Sequence, residues 1–537
     1  MQFSVGCRLF VNHVVRCRKR FHADSVSRQK SLSREELDDF IRRNGYTLNL
    51  HKDAVASVDF NQLGSNTPCE DHSSAAFSSH ETDARGQFFG VYDGHGGESC
   101  SRNLAQRLLD YVMLSVLPVH AKRQILEDLE AQSLVPNDES AMDFESCDTV
   151  KYRTFLWSTA LPSGSTGDEL LTEPHHRQNL INFLYKSCDL IEAAPAEAAL
   201  PLHSHDVSDK FSLPSSTASK PYRHKDDALP LVRESMQAAF QSLDADLLAA
   251  AMPRIVDAGA SQVDPDRVKI VSSGSCAVVA HISGPDLYIA NAGDCAAVLG
   301  VRNDATGEWQ ARPLTRDHTV DNPAEVHRIR SAHPSNEYST ILHQNRLLGM
   351  LYPLRAFGDV RFKWDADLQR KVLSPFLPPG VDPVPPDFYT PPYLTCFPEV
   401  FYHRLQPSDR FLILASDGLW ELLKPIQVVR LVSDHLLGQQ TLTEYVRPFN
   451  ATVGEVLLQL RERHKGRRPV PLDRNAATHL IRNALGGYGV NPALQYKNLH
   501  FYITLPRKQV RSYRDDITIT VIYFDEHYLR SRRDPDS

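Results

Sequence analysis

The chain has 537 residues and a formal net charge of −7, with 42% hydrophobic and 23% charged residues, the balance of an ordinary water-soluble globular protein. It carries no acidic or basic block of the kind that binds nucleic acid, and no apolar run approaches the roughly 18 residues that span a bilayer. Its nine cysteines are scattered without a Cys-x-x-Cys pair, so neither a zinc site nor a disulfide framework is indicated and a reducing compartment is expected.

In chain order, the first 23 residues contain Arg8, Arg16, Arg18, Lys19 and Arg20, no acid, and interspersed apolar residues such as Leu9, Phe10 and Val11. That composition predicts a mitochondrial targeting segment over 1–30 and a matrix address. An N-terminal extension, 31–53, contains a capping box at Ser33-Arg34-Glu35-Glu36. The main domain is expected over 54–528, with a tail at 529–537. Strands are predicted near 54–60 and 87–92, then a helix over 97–117 on the spacing of Leu104, Leu108, Leu109, Val112 and Val116.

Residues 119–227 read as an insertion, mixing a helix over 176–193 with Pro- and Ser-bearing stretches that bury little apolar surface. His175, His176, His203 and His205 lie in it and are expected to be solvated loop histidines, since no patterned metal-ligating partner accompanies them. A helix over 228–252 and strands over 268–282 and 287–290 follow. The proline-rich stretch 365–398 predicts an irregular flap, and 438–470 a second insertion. A helix from Asn475 and a strand over 517–524 close the domain; Gly486-Gly487-x-Gly489 reads as a loop. Strand pairs separated by long helices predict an α+β fold of two packed antiparallel sheets with helices outside.

Three aspartates stand at the ends of apolar, strand-like runs: Asp93 after Phe88-Phe89-Gly90-Val91-Tyr92, Asp417 after Phe411 to Ala415, and Asp515 before Ile517 to Phe524. A strand end fixes a side chain better than a loop does, and converging carboxylates suit hard divalent cations such as Mg²⁺ or Mn²⁺. Gly94 and Gly418 follow two of them, permitting positive φ and letting the backbone come close to a bound ion. An isolated Asp-Gly is merely a turn; the three together, with Glu70-Asp71 upstream, point to a metal centre.

These residues belong to a larger ordered set. Glu70-Asp71, Asp93-Gly94-His95-Gly96-Gly97, Ser273-Gly274-Ser275-Cys276-Ala277, Asn291-Ala292-Gly293-Asp294, Asp317-His318, Arg355-Ala356-Phe357-Gly358-Asp359, Ala415-Ser416-Asp417-Gly418 and Arg514-Asp515-Asp516 resemble, in sequence and order, the motifs of the type 2C metal-dependent serine/threonine protein phosphatases. Within that family, Phe357-Gly358-Asp359-Val360-Arg361-Phe362-Lys363-Trp364 and Tyr389-Thr390-Pro391-Pro392-Tyr393 are similar to the branch acting on pyruvate dehydrogenase. The resemblance implies a four-layer αββα sandwich. It also implies two Mg²⁺ or Mn²⁺ ions, with Asp93 bridging, Asp417 and Asp515 completing the first site, and Glu70 and the Gly94 carbonyl serving the second. Asp71 is expected to orient a bound water, Asp294 and Glu421 to help hold a third ion, and His95 to act as general acid. Asp359 is read as structural.

The chemistry fits the implied activity, because phosphate-monoester hydrolysis is among the slowest reactions known and general acid–base help supplies only about 10²–10⁴-fold. A metal pair is therefore expected to activate a bridging water for in-line attack. Most relatives have an arginine four residues before the Glu-Asp pair; here Asn66 stands there, so phosphate affinity is expected to depend more on the metals. The implied substrate is a phosphoprotein, the E1 component of the pyruvate dehydrogenase complex, with the lipoyl-bearing E2 core and a regulatory subunit as further partners. The alternatives are another mitochondrial phosphoprotein substrate, a non-catalytic scaffold, or a metal-dependent nuclease.

Overall fold

The computed structural model describes residues 32–77, 86–133, 174–192, 228–256, 260–437, 445, 447–464 and 472–532. The targeting segment predicted over 1–30, and His203 and His205, lie outside these residues.

The main strands are β1 (Tyr46–Lys52), β2 (Val55–Leu63), β3 (His72–Phe77), β4 (Gln87–His95), β5 (Gly274–Ser283) and β6 (Asp286–Ala292). They continue as β7 (Ala296–Arg302), β8 (Trp309–Pro313), β9 (Glu399–Arg404), β10 (Asp409–Ala415) and β11 (Ile517–Phe524). One antiparallel sheet has the order β1-β2-β11-β10-β7-β8, and the other β9-β6-β5-β4-β3. The last strand of the chain thus sits in the middle of the first sheet, between β2 and β10.

Side-chain alternation along each strand builds the layers. Leu412 and Leu414 of β10 share the core between the sheets with Phe89 and Val91 of β4 and Val278 and Ala280 of β5. Phe411, Ile413 and Ala415 point the other way, into a second core with residues of the helices Pro425–Leu436, Ala476–Gly486 and Pro492–Ile503. Phe88 and Tyr92 do the same on the opposite face, under Ser99–Ser115 and Ala228–Ala250. Each such buried side chain contributes about 1.5–3 kcal/mol, so the pattern of apolar residues on both faces specifies the four-layer αββα sandwich.

Several boundaries differ from expectation. The first sheet begins at Tyr46, because Tyr46, Leu48 and Leu50 pack against the inter-sheet core. The capping box at Ser33 forms as read, starting the helix Arg34–Arg42. That helix is tied to the body by Arg482, fully buried, which donates to Asp473 at 2.6 Å through both Nε and Nη2 and to Asp38 at 2.6 Å through Nη1. Residues 265–272 form a helix, capped by the Asp264 side chain, rather than the start of the strand read from 268. The flap begins with a helix, Ala366–Leu373, capped by Asp365, and the second insertion contains the helix Val453–His464. His176 is no solvated loop residue: it lies in the helix Pro174–Glu192, 5% exposed, with Nε2 3.2 Å from Asp110 Oδ2. Cys69, Cys100, Cys188, Cys276, Cys295 and Cys396 are free, and among the described residues no helix is long and apolar enough to cross a membrane.

One buried ion cluster anchors the segment that approaches the site. Glu325, on the helix Pro323–Ala332, accepts from Arg355 Nε at 3.0 Å and from Arg328 Nη2 at 2.8 Å. Arg355 also holds the Phe397 carbonyl at 2.7 Å. Burial alone would raise the Glu325 pKa, but hydrogen bonds from Arg355 and Arg328 overcome it and bring the carboxyl from 4.5 down to about 2. A carboxyl depressed on folding stabilises the protein above its unfolded pKa and loses that contribution as the pH falls through the folded one. Glu325→Gln is therefore expected to remove on the order of 3 kcal/mol at pH 7. The variant should also lose less stability than the parent between pH 4.5 and 2. Urea unfolding at fixed pH values measures both, and parallel acid profiles for parent and variant would refute the linkage.

Candidate metal centre and active site

Antiparallel pairing brings the motif-bearing strand ends to one end of the sandwich. His72 pairs with Tyr92, which puts Glu70 and Asp71, just before β3, beside Asp93 at the end of β4. Ala415 pairs with Ile519, which puts Asp417, just after β10, beside Asp515 and Asp516, just before β11. Asp294 occupies the turn between β6 and β7. The two sheets meet here, and the Asp417 backbone N–H reaches Asp93 Oδ2 at 3.3 Å.

The tightest group is Asp93, Asp294 and Asp417, whose carboxylate oxygens lie within 4.8 Å of one another. Asp515 lies outside this trio: its Oδ1 accepts from the Asp516 N–H at 2.7 Å and its Oδ2 pairs with Arg511. Burial, reinforced by repulsion from Asp417 and Asp71, pushes the Asp93 carboxyl well above the usual range. Burial and the charges of Asp294 and Asp515 do the same to Asp417. Asp417 Oδ1 is buried and has no hydrogen-bond partner among the described residues. An all-oxygen donor set with uncompensated negative charge and an orphaned buried oxygen fits a hard divalent cation. Glu421 belongs to the same neighbourhood, where burial and then Asp515 raise its carboxyl.

The other predicted residues are held by a dense network. Glu70 Oε1 accepts from the Gly97 N–H at 2.7 Å and Oε2 from Asn66 Nδ2 at 2.9 Å. Asp71 is buried and accepts from Ser416 Oγ at 2.7 Å, locking it to the Asp417 turn. Neither Gly94 nor Gly418 adopts positive φ, contrary to one of the two reasons considered for them. What excludes a side chain at both is close packing against the backbone: a Cβ at Gly94 would clash with the Glu70 carbonyl oxygen, and one at Gly418 with that of Asp516.

His95 stands at the rim, its Nε2 2.6 Å from Asp359 Oδ2. Burial disfavours its protonated form, but the Asp359 charge and hydrogen bond outweigh that and raise its pKa. Asp359, read from sequence as structural, is thus also the partner that orients His95. It is held in the left-handed region at φ 51°, and its N–H donates to the Ser273 carbonyl at 3.1 Å. Its neighbours are structural: Arg355 forms the Glu325 ion pair and Phe357 is fully buried.

Several supporting residues escaped the sequence reading. Asp516 accepts backbone N–H groups from Asn66 at 2.9 Å and Glu70 at 2.8 Å, and also from Ser65, so it fixes the loop that carries Glu70. The buried His318 holds the Asp294 turn by accepting the Gly293 N–H on Nδ1 at 3.0 Å. Both lie in quoted motifs, which was the available signal. Asn66 does face the site, but its amide is spent on Glu70 and on Asp516 at 3.1 Å.

The family model for protein phosphatase 2C matches residues 215–448. Curated relatives extend the similarity over nearly the whole chain. The mitochondrial pyruvate dehydrogenase (acetyl-transferring) phosphatase 1 of Bos taurus is 34% identical over 503 residues, covering 89% of this chain and 79% of that protein. The mitochondrial pyruvate dehydrogenase (acetyl-transferring) phosphatase 2 of Homo sapiens is 35% identical over 514 residues, covering 93% and 84%. The solved serine-threonine phosphatase 2C of Toxoplasma gondii aligns with 89% of this chain and 99% of its own, at 15% identity and a TM-score of 0.39. The chain belongs to the protein phosphatase 2C family. It is a metal-dependent serine/threonine protein phosphatase, and a mitochondrial one.

Proposed function

We propose that this phosphatase hydrolyses phosphoserine in the E1 component of the pyruvate dehydrogenase complex, using two Mg²⁺ or Mn²⁺ ions and a third, weaker one. The convergence of Asp93, Asp294 and Asp417 from both sheets carries the catalytic part of this reading. The names of the relatives that match most of the chain support the substrate. Asp93 is assigned the bridging position, Asp417 and Asp515 the rest of the first site, and Glu70 with the Gly94 carbonyl the second. Asp294 and Glu421 border the third. When bound, such ions lower the pKa of coordinated water and neutralise charge building on the phosphoryl oxygens.

The chain's own groups supply the rest. Asp71 and Ser416 orient the turn carrying Asp417. His95, aimed by Asp359 and favoured by it in the protonated form, delivers a proton to the departing serine oxygen, which needs it because an alkoxide is a poor leaving group. Lipoyl-bearing E2 and a regulatory subunit are proposed as docking partners on the resemblance alone. A scaffold would not require the full acid set, and it is intact here.

The test is phosphate release from phosphorylated E1, beside unrelated phosphoproteins, with Mn²⁺ or Mg²⁺ and with EDTA. Release from E1 at least tenfold faster than from the others, abolished by EDTA, is expected. Equal rates on every phosphoprotein would remove the substrate assignment, and EDTA-insensitive turnover would remove the metal reading.

A further inference from the structure

Resting on the phosphatase reading above, we infer that Arg511 is a substrate-binding residue whose guanidinium grips the phosphoryl group at the mouth of the acidic centre. Arg511 follows the helical turn Arg507–Val510 and precedes Asp515 by one helical spacing, so its side chain folds back onto that carboxylate. The two ends of the pair differ in setting. The Arg511 side chain is 52% exposed while that of Asp515 is 14% exposed, so the guanidinium caps the acid from the solvent side.

Its charge reaches acids on three separate elements: Glu70, Glu421 and Asp515 all lie above their usual range because of burial, and Arg511 opposes that rise in each. Three other polar or cationic groups near the centre, Arg514, His95 and Asn66, are committed elsewhere. Arg514 is buried and donates to the carbonyls of Leu63 at 3.3 Å, Gly64 at 2.7 Å and Asp515 at 3.1 Å. His95 is engaged with Asp359, and the Asn66 amide with Glu70 and Asp516.

A dianionic phosphoryl entering a pocket of carboxylates needs a compensating cation, and a guanidinium presents five donors in a planar fork matched to phosphate oxygens. A divalent ion held by Asp515 competes with Arg511 for the same carboxylate. Arg511 therefore has two alternative partners, Asp515 in the metal-free protein and the substrate phosphoryl in the loaded one. Lys508 and Arg507, exposed on the preceding turn, extend the positive rim.

The test measures four quantities on the full chain carrying Arg511→Ala or Arg511→Lys. With a phosphoserine peptide at saturating Mn²⁺, Arg511→Ala is expected to raise KM about tenfold or more and change kcat less than about threefold, the loss of a charge-assisted hydrogen bond. The inhibition constant of inorganic phosphate should rise in parallel, and Arg511→Lys should restore part of both. Mn²⁺ affinity by calorimetry should stay equal or tighten, since Asp515 loses a competitor. Unchanged KM and phosphate inhibition in Arg511→Ala would overturn the inference, and so would weaker Mn²⁺ binding with intact phosphate inhibition, which would mark Arg511 as a support for Asp515. An inactive parent enzyme would instead count against the phosphatase reading itself.

Discussion

Asp93→Asn is expected to lower kcat by about a thousandfold or more, roughly 4 kcal/mol of transition-state stabilisation, while making the metal-free protein more stable. The two effects share one cause. Asp93, Asp294 and Asp417 place carboxylate oxygens within 4.8 Å of one another, and Asp93 is raised by burial and by the charges of Asp417 and Asp71. In the absence of cations, folding must bring these charges together out of water, a cost that the isosteric amide removes. The same amide is a poor ligand for a hard divalent ion and cannot bridge two of them. The melting temperature without metal should rise by a few degrees. Added Mn²⁺, which should stabilise the parent by mass action, should shift the variant little. A variant with parental turnover, or one stabilised by Mn²⁺ as strongly as the parent, would refute the bridging assignment.

His95→Asn is expected to reduce kcat on a phosphoserine peptide by about 10²–10⁴-fold, with a much smaller loss on p-nitrophenyl phosphate. The phenolic oxygen leaves readily without a proton, whereas the serine alkoxide does not, so only the second reaction requires an acid. Asp359→Asn should show the same selectivity in weaker form, because it keeps a hydrogen-bonding group 2.6 Å from the imidazole but removes the charge that favours the protonated ring. Calorimetric Mn²⁺ affinity should be unchanged in both. Equal losses on the two substrates would reject the acid role for His95, and an Asp359→Asn enzyme with parental kinetics on phosphoserine would return Asp359 to a purely structural part.

What could be read in advance follows from the range of the interactions involved. The apolar runs Phe411–Ala415 and Ile517–Phe524 are local consequences of a strand covered on both faces, and both strands form where read. Tyr46, Leu48 and Leu50 instead alternate with polar residues, the local signal of a half-buried edge strand. Partners remote in the chain leave no such trace. Asp359 meets His95 across 264 residues, and His176 meets Asp110 across 66, so neither role follows from local pattern. Arg511 is a related case: its place is legible as a spacing from Asp515, but its exposure at the mouth of the centre depends on tertiary packing. The motif order located the acids, and the pairing register explains why they meet. The closer approach of Asp294 than Asp515 to the Asp93–Asp417 pair needed the folded chain.

The position of β11 couples two parts of the fold. Because β11 fills the gap between β2 and β10, and Asp515 and Asp516 ride on its leading end, the first sheet stays split until this strand has joined it. Without β11 the fold would lack both the closing element of that sheet and the loop anchor for Glu70. One strand thus ties the closure of a sheet to the placement of an acid on the other sheet's side, so loosening β11 is expected to disturb both together.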